Sequence, residues 1–221
     1  APKHRGITYL LMPLKDEKGD YLPGITVNAI PDALGRHRWD EIFLEDVKVP
    51  ANNIIGEENR GWYAAMTTLS FERSNIQGPA MLLRILDQFI DYCRKIGRLG
   101  EQPLDNPVVR NQLANLRLEI ETMRTLSFRV GWMQSKGDIP VKEASMTKFC
   151  GDQITQKGYL YLSQVLREYG NLLPTNKLKV PLPVNGFLNS NAFLSRTISV
   201  AGGTTEVQKN IIAQRGLGLP R

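Results

Sequence analysis

Residues 106–137 read NPVVRNQLANLRLEIETMRTLSFRVGWMQSKG, and this stretch decides the fold. Its apolar residues recur at steps of three, four or seven positions, which places them on one face of a helix. The Asn-Pro pair at its start and the Lys-Gly pair at its end are typical of helix boundaries. The stretch therefore predicts a long amphipathic helix, whose apolar face contains Val109, Leu113, Leu116, Ile120, Met123 and Val130.

The sequence predicts four further helices of the same amphipathic kind. Their predicted limits are Trp62 to Gly97 or Gly100, Pro140 to about Tyr169-Gly170, 188–200 and 204–217. Residues 171–187 contain three prolines and predict a loop. Three long helices and two short ones predict a mainly α protein built on an antiparallel helical bundle.

The first 52 residues have a different composition from the rest of the chain. Short runs of β-branched and aromatic residues, at 7–11, 25–27 and 41–44, are separated by glycine and proline turns. These runs predict a few antiparallel strands, too few to close a sheet of their own. We therefore predict a partial antiparallel β domain over residues 1–52 and a helical bundle domain over residues 53–221.

Composition and charge exclude several classes of protein. The 221 residues carry 28 Lys and Arg against 22 Asp and Glu, and 42% of them are hydrophobic, which excludes wholesale disorder. No apolar run is long enough to predict a membrane span. The net charge of +6 is spread along the chain, which favours a solvated surface over nucleic-acid binding. Two cysteines, Cys93 and Cys150, predict neither a disulfide framework nor a metal site, and they suit a reducing compartment.

The first predicted helix contains a charged pair, Glu72-Arg73, close to its apolar stripe. At helical spacing Arg73 lies about 20° from Trp62, at the centre of the stripe, and Glu72 lies about 80° away on the other side, at its edge. Buried charges require a partner or serve a site. A structural ion pair with another helix and a functional site are both open at this point. In the second case, a partly desolvated Glu72 would be suited to act as a general base.

A second candidate site is the turn Gly202-Gly203-Thr204 before the last predicted helix. The two glycines let the backbone approach a ligand closely, and either Thr204 or Thr205 can cap the helix, with Thr205 and Gln208 spaced as a capping box. Free N–H groups at a helix start attract anions such as phosphate. A plain turn between two helices is the alternative interpretation.

Two longer motifs resemble one family. Residues 43–62, FLEDVKVPANNIIGEENRGW, are similar to the junction between the middle β domain and the C-terminal helical domain of acyl-CoA dehydrogenases. Residues 201–221, AGGTTEVQKNIIAQRGLGLPR, are similar to the C-terminal signature of the same family. The predicted helices between them agree with that family in number and spacing. The resemblance thus covers essentially the whole chain and implies the C-terminal part of such an enzyme.

The start of the chain fits this interpretation. It begins with Ala1 rather than Met, within a segment that is predicted to contain a strand. Together with the resemblance, this implies the last part of a longer chain, whose N-terminal helices complete the substrate pocket. We therefore expect residues 1–221 alone to bind FAD poorly and to catalyse no turnover.

The resemblance also implies a reaction. Acyl-CoA dehydrogenases oxidise an acyl-CoA thioester to the trans-2-enoyl-CoA: a glutamate removes the α-proton, and the β-hydrogen leaves as hydride to FAD. Many members place this base at the position of Gly202, which has no side chain for the task. A minority place it on the first bundle helix, directly before an arginine. The resemblance therefore assigns the base to Glu72 and the orientation of the substrate to Arg73.

The resemblance assigns cofactor contacts to five residues. Gly203, Thr204 and Glu206 occupy positions that lie along the flavin and its pyrophosphate in the family. Gln164 resembles a glutamine that reaches the FAD of a neighbouring subunit, and Arg98 is the candidate phosphate partner, two positions from the usual arginine.

Departures from the family pattern leave alternatives open. Two glycines that usually follow the glutamine are replaced by Arg167 and Glu168. One alternative is a non-catalytic partner subunit of a mixed complex, and another is a related flavin oxidase or monooxygenase. The implied partners are an acyl-CoA, an electron-transferring flavoprotein, and further subunits in a homo- or hetero-oligomeric dimer or tetramer. The implied setting is fatty acid and lipid metabolism, in the bacterial cytoplasm or in the mitochondrial matrix of a eukaryote.

Overall fold

The computed structural model describes residues 3–72, 75–96, 102–172 and 182–220. The chain divides into two compact units, Ala1–Leu69 and Ser70–Arg221. This division places residues 53–69 with the strands, whereas the sequence predicts a domain boundary after residue 52. That boundary stays a prediction.

A β-hairpin is the regular part of the first unit. Strand β1 (Ile25–Pro31) pairs antiparallel with strand β2 (His37–Leu44). In the turn between them, the Asp32 carboxylate accepts hydrogen bonds from the backbone N–H groups of Leu34, at 2.8 Å, and Arg36, at 3.0 Å. The Arg36 N–H is the main cause that holds the pKa of Asp32 below its usual value. The strands predicted at 25–27 and 41–44 lie within this hairpin.

The strand predicted at 7–11 is wrong. This segment makes only isolated bridges, from Ile7 to Arg60 and from Leu10 to Ile54. The Gly61 N–H donates to the Ile7 carbonyl at 2.8 Å, and a Cβ atom at Gly61 would lie 2.2 Å from the backbone nitrogen of Tyr9. The segment therefore lies beside the residues that lead into the first helix. Within the described residues, no neighbouring strand extends these bridges into a sheet.

The helix predicted from Trp62 to Gly97 or Gly100 is two helices. Helix α1 spans Gly61–Glu72 and helix α2 spans Gln77–Ile96. Asn75 lies between them with φ +48°, a left-handed conformation that a right-handed helix does not accommodate. The break does not test the angular position predicted for Arg73, which stays a prediction, because α1 is continuous from Gly61 to Glu72. Arg73 itself and residues 97–101 lie outside the described residues.

The amphipathic stretch at 106–137 forms helix α3, Pro107–Ser135, as predicted. The Asn106 side chain caps its start by accepting a hydrogen bond from the Val108 N–H at 2.9 Å. Helix α4 spans Val141–Val165, shorter than its prediction, and a 3-10 turn follows it. The α-helix ends early because Arg167 has φ +50°.

Two short helices complete the bundle. Helix α5 spans Phe187–Ile198, and helix α6 spans Thr205–Ile211 before a π-helical turn, Ile212–Gly216. The predicted helices at 188–200 and 204–217 are thus confirmed, and most of the loop predicted at 171–187 lies outside the described residues.

Helix α4 is central to this bundle, because it packs against α2, α3, α5 and α6. The buried core that these helices share contains Leu82, Ile85, Leu86, Phe89, Cys93, Leu113, Leu116, Ile120, Met123, Tyr159, Leu162 and Leu188. The predicted fold class, a mainly α bundle preceded by a small antiparallel sheet, is confirmed. Over the described ranges, no helix combines the length and apolarity that a membrane crossing requires.

Candidate functional site

Glu72 is the last residue of α1, and its side chain is exposed. The sequence predicted a partly buried carboxylate at the edge of an apolar stripe, and for this chain that burial is wrong. The physical reason is that α1 stops at this residue, so no further turn extends the stripe past the carboxylate. The Glu72 carbonyl accepts a hydrogen bond from the Asn75 N–H at 3.4 Å. Its role as a base stays a prediction.

The turn before α6 has the glycine conformations that its sequence suggests. Gly202 has φ +70° and Gly203 has φ +104°, both in the region that glycine adopts readily. The Thr204 hydroxyl oxygen accepts a hydrogen bond from the Val207 N–H at 3.3 Å, so Thr204 rather than Thr205 caps the helix. Because α6 has only seven residues, its dipole is a weak source of anion affinity.

Gln208 does not form the predicted capping box. Its side chain is fully buried, and its Nε2 donates to the carbonyl oxygens of Gly202, at 3.1 Å, and Gly203, at 3.3 Å. A Cβ atom at Gly203 would lie 2.6 Å from this nitrogen. The structure therefore requires glycine at position 203 for an internal reason, whatever the turn binds. The Gln208 Oε1 is buried without a hydrogen-bond partner among the described residues.

A buried ion pair holds the other end of the same segment. The Lys148 ammonium donates to the Asp152 carboxylate, one turn further along α4, and to the Ile198 carbonyl at 2.6 Å. Only 14% of the Lys148 side chain and 5% of the Asp152 side chain are exposed. Burial raises the pKa of Asp152, and the Lys148 ammonium opposes this rise. The cation lies at the C-terminal end of α5, where a helix dipole favours positive charge.

Residues 198–203 are therefore held at both ends, by Lys148 at Ile198 and by Gln208 at the two glycines. Neither anchor was predicted from the sequence. The available signal was the spacing of Lys148 and Asp152, four residues apart, which places opposite charges on one helix face. Gln208 gave no such signal, because its capping spacing suggested another partner.

The remaining predicted site residues are not joined to one another by hydrogen bonds or ion pairs within the described ranges. Gln164, on α4, and Glu206, on α6, are exposed, and the side chain of neither forms a hydrogen bond or an ion pair within the described residues. Across the same ranges, no hydrogen bond joins Glu72, Gln164 and Glu206 to one another. Arg73 and Arg98 lie outside the described residues.

The described cysteines are poor nucleophiles. Burial raises the pKa of Cys93 to about 11 and also raises the pKa of Cys150, so both thiols stay protonated at neutral pH. Within the described part of the chain, no group of three or more His, Cys, Asp or Glu residues could hold a metal ion.

Residues 59–217 match the family model of the acyl-CoA dehydrogenase C-terminal domain. The chain belongs to the acyl-CoA dehydrogenase family. It is 27% identical over 221 residues to acyl-CoA dehydrogenase FadE29 of Mycobacterium tuberculosis, and the match covers 100% of the chain and 54% of FadE29. It is 30% identical to acyl-CoA dehydrogenase FadE34 of the same organism, with all of the chain and 28% of FadE34 covered.

Solved structures agree with this assignment. In the crystal structure of the ChsE4-ChsE5 complex from Mycobacterium tuberculosis, one chain is 27% identical to this one, with a TM-score of 0.81. The similarity covers 100% of this chain and 54% of that chain. The chain thus spans about half the length of most relatives that it matches, and less of FadE34.

Proposed function

We propose that this chain is the C-terminal part of an FAD-dependent acyl-CoA dehydrogenase in which Glu72 is the general base. The observation that carries the proposal is the place of Glu72. In a chain of this family, it is an exposed carboxylate at the end of α1, directly before Arg73. The other position at which the family places its base is Gly202, which has no side chain.

In the proposed reaction, the Glu72 carboxylate takes the proton from the α-carbon of the acyl-CoA thioester. The electron pair of that C–H bond forms the new double bond to the β-carbon, whose hydrogen leaves with its own electron pair. FAD, when bound, supplies the acceptor for this hydride. Within the described residues, Glu72 has no ion pair that would compete for its oxygen atoms. Arg73 is proposed to orient the substrate beside it.

Membership of this family implies a flavin, and the predicted cofactor residues carry groups that fit a ligand of that kind. Gln164 and Glu206 are exposed hydrogen-bonding groups without a partner in the described chain. The Thr204 oxygen accepts from Val207 and keeps its hydroxyl hydrogen for another acceptor. Gly203 has only its backbone to offer a ligand, and the Gln208 amide occupies the space that a Cβ atom would need. Arg98 remains the proposed phosphate partner.

Further partners and location belong to the same proposal. The ChsE4-ChsE5 structure is that of a complex between two proteins. For this chain, we propose a homo- or hetero-oligomer, a dimer or tetramer, with an electron-transferring flavoprotein as electron acceptor. A role in fatty acid and lipid metabolism, in the bacterial cytoplasm or in a mitochondrial matrix, follows from the same assignment.

A non-catalytic partner subunit is the second candidate function. The observation that favours it is Arg167, which stands where the family usually has glycine and keeps a left-handed φ of +50°. The backbone thus retains a conformation suited to glycine, while a large charged side chain has been added. A flavin absorption spectrum of the full-length polypeptide, alone and with a homologous partner, separates the two functions. A stoichiometric flavin without a partner contradicts a purely structural role.

The test of the proposed function is Glu72→Gln in the full-length polypeptide. We expect the variant to bind FAD as the wild type does and to lose reduction of the flavin by acyl-CoA. Glu58→Gln is the matched control, since Glu58 is another exposed glutamate outside the proposed site. A third possibility, an oxidase or monooxygenase, is tested by oxygen consumption of the substrate-reduced protein.

A further inference from the structure

Asn75 connects the end of α1 to the start of α2. Its backbone N–H donates to the Glu72 carbonyl at 3.4 Å, and its own carbonyl accepts from the Gly78 N–H at 3.2 Å. Its φ of +48° is left-handed, a conformation that few residues other than glycine, asparagine and aspartate adopt readily. The backbone of Asn75 is thus hydrogen-bonded to the last residue of α1 and to the first turn of α2.

The Asn75 side chain lies in a seat made by three helices, which we call the Asn75 seat: Gly78 of α2, Met123 of α3 and Gly151 of α4. The Asn75 Oδ1 is 3.1 Å from the position that a Cβ atom at Gly78 would take, and its Nδ2 is 3.1 Å from that of Gly151. The Met123 Cε would lie 2.8 Å from either Cβ. The seat therefore exists only because both helices present glycine to the amide.

Asparagine meets two demands at this position. Glycine would adopt the left-handed backbone but would leave the seat empty. A β-branched or bulky residue would strain the backbone. Met123, only 1% exposed, belongs to the bundle core, so the seat is continuous with the most tightly packed part of the molecule.

We propose that Asn75 is a positioning residue, which fixes the last turn of α1 and thereby the place of the Glu72 carboxylate. This inference rests on the proposed function of Glu72. The link is direct, because Glu72 is the last residue of α1 and its carbonyl accepts the Asn75 N–H. A displacement of about 1 Å at a reacting group can lower a rate about 100-fold. Loss of the seat should therefore act on the rate of proton removal.

The experiment uses the full-length, flavin-loaded polypeptide with Asn75→Gly and Gly151→Ala. The first change empties the seat and keeps the backbone conformation; the second places a Cβ atom of α4 against the amide and the Met123 methyl group. We expect each to lower the single-turnover rate constant of flavin reduction by acyl-CoA about 10- to 100-fold. Flavin content should stay unchanged, and the half-saturating substrate concentration should change by less than about threefold. Hydrogen exchange at the backbone amide of residue 75 should become faster in Asn75→Gly.

Three further variants separate positioning from a general loss of stability. Asn75→Asp keeps shape and backbone preference and should stay within about threefold of the wild-type rate constant. Gly131→Ala is the matched glycine control, since no atom lies within 4 Å of its Cβ position, and it should leave the rate constant unchanged. In the double variant Asn75→Gly with Gly151→Ala, the second change should add less than it does alone, because the amide is absent and only the Met123 side chain stays in contact with the new Cβ atom.

The outcomes distinguish this inference from the proposed function. If Glu72→Gln abolishes flavin reduction while Asn75→Gly and Gly151→Ala reduce flavin at the wild-type rate, the positioning role is contradicted and the base assignment stands. If Glu72→Gln reduces flavin nearly normally, both fail. A lower thermal midpoint or flavin content in Asn75→Gly, without slower reduction per bound flavin, also contradicts the positioning role. If Asn75→Gly does not fold, Gly151→Ala and Asn75→Asp carry the test.

Discussion

The Lys148 ammonium donates a hydrogen bond to the Ile198 carbonyl, 2.6 Å away and fifty residues further along the chain. This contact ties the C-terminal end of α5 to the N-terminal third of α4, and the Asp152 carboxylate balances the buried charge. The segment that follows Ile198 leads to the Gly202-Gly203 turn. A buried ion pair thus anchors one end of this candidate cofactor region, and Gln208 anchors the other.

Removing the ammonium should destabilise the bundle strongly. Lys148→Met leaves the Asp152 carboxylate buried without its partner, and it removes the donor from the Ile198 carbonyl. Loss of one member of a buried ion pair costs about 3–5 kcal/mol of unfolding free energy. Urea denaturation of the full-length variant measures this cost.

A surface pair on the same helix is the matched control. Lys157 pairs with Glu119, but 62% of the Lys157 side chain is exposed, so Lys157→Met should cost at most about 1 kcal/mol. Lys148→Met combined with Asp152→Leu should recover most of the lost stability, because no buried charge is left alone. Equal costs for Lys148→Met and Lys157→Met would contradict the importance of the buried pair.

The effect of Lys148→Met should depend on pH. Burial already raises the pKa of Asp152, and the Lys148 ammonium is what opposes the rise, so the pKa should be higher still in the variant. A carboxyl with a raised pKa in the folded state stabilises the fold when protonated, and it loses that contribution as the pH rises through the folded-state pKa. The loss of unfolding free energy in the variant should therefore be smallest near pH 3.8, the ordinary pKa of Asp152 in the unfolded chain, and should grow towards neutral pH.

Unfolding free energies of wild type and variant, measured from about pH 4 to pH 8, test this dependence. When Asp152→Asn is present in both proteins, Lys148→Met should cost the same at every pH, because the titrating group is absent from both. A deficit that is the same at every pH in the single variant would show that Asp152 is not the group responsible.

Gly203→Ala should disrupt the turn before α6 for two separate reasons. A left-handed backbone costs alanine about 1–2 kcal/mol. The new Cβ atom would also displace the buried Gln208 amide from its two carbonyl acceptors, at a further cost of about 1–3 kcal/mol. Denaturant unfolding measures the sum, and flavin content reports whether the turn still binds.

Gly137→Ala separates strain from collision. Gly137 has φ +85°, and no atom lies within 4 Å of its Cβ position, so this variant should show only the conformational cost of about 1–2 kcal/mol. In a Gln208→Ala background, Gly203→Ala should cost no more than Gly137→Ala does. If Gly203→Ala and Gly137→Ala lose the same unfolding free energy in the wild-type background, the Gln208 side chain moves aside at little cost, and the expected collision is contradicted.

Much of the bundle could be predicted from the sequence, because burial of an apolar stripe is what determines a bundle helix. Helix α3 is the clearest case, since the Asn106-Pro107 start and the buried stripe from Leu113 to Val130 both agree with the structure. The break at Asn75 could not be predicted in this way. Leu69 and Ile76 are seven positions apart, so the periodic spacing continues across two separate helices.

The site was harder to predict than the fold, because its anchors are polar groups that tertiary contacts bury. Lysine and glutamine usually lie on the protein surface. The burial of Lys148 and Gln208 is explained only by the contacts of α4 and α6 with residues 198–203. The same limit applies to Glu72. Its exposure follows from the helix end at that residue, which the apolar stripe does not reveal.

The most direct test of the central claim is the rate of flavin reduction in Glu72→Gln. The full-length, flavin-loaded variant is mixed with excess acyl-CoA in a stopped-flow instrument, and the loss of flavin absorbance is followed beside wild type and Glu58→Gln. With Glu72 as the base, the rate constant should fall about 10²- to 10⁴-fold at unchanged flavin content, and Glu58→Gln should match wild type. Reduction of Glu72→Gln within about threefold of wild type would contradict the assignment of Glu72.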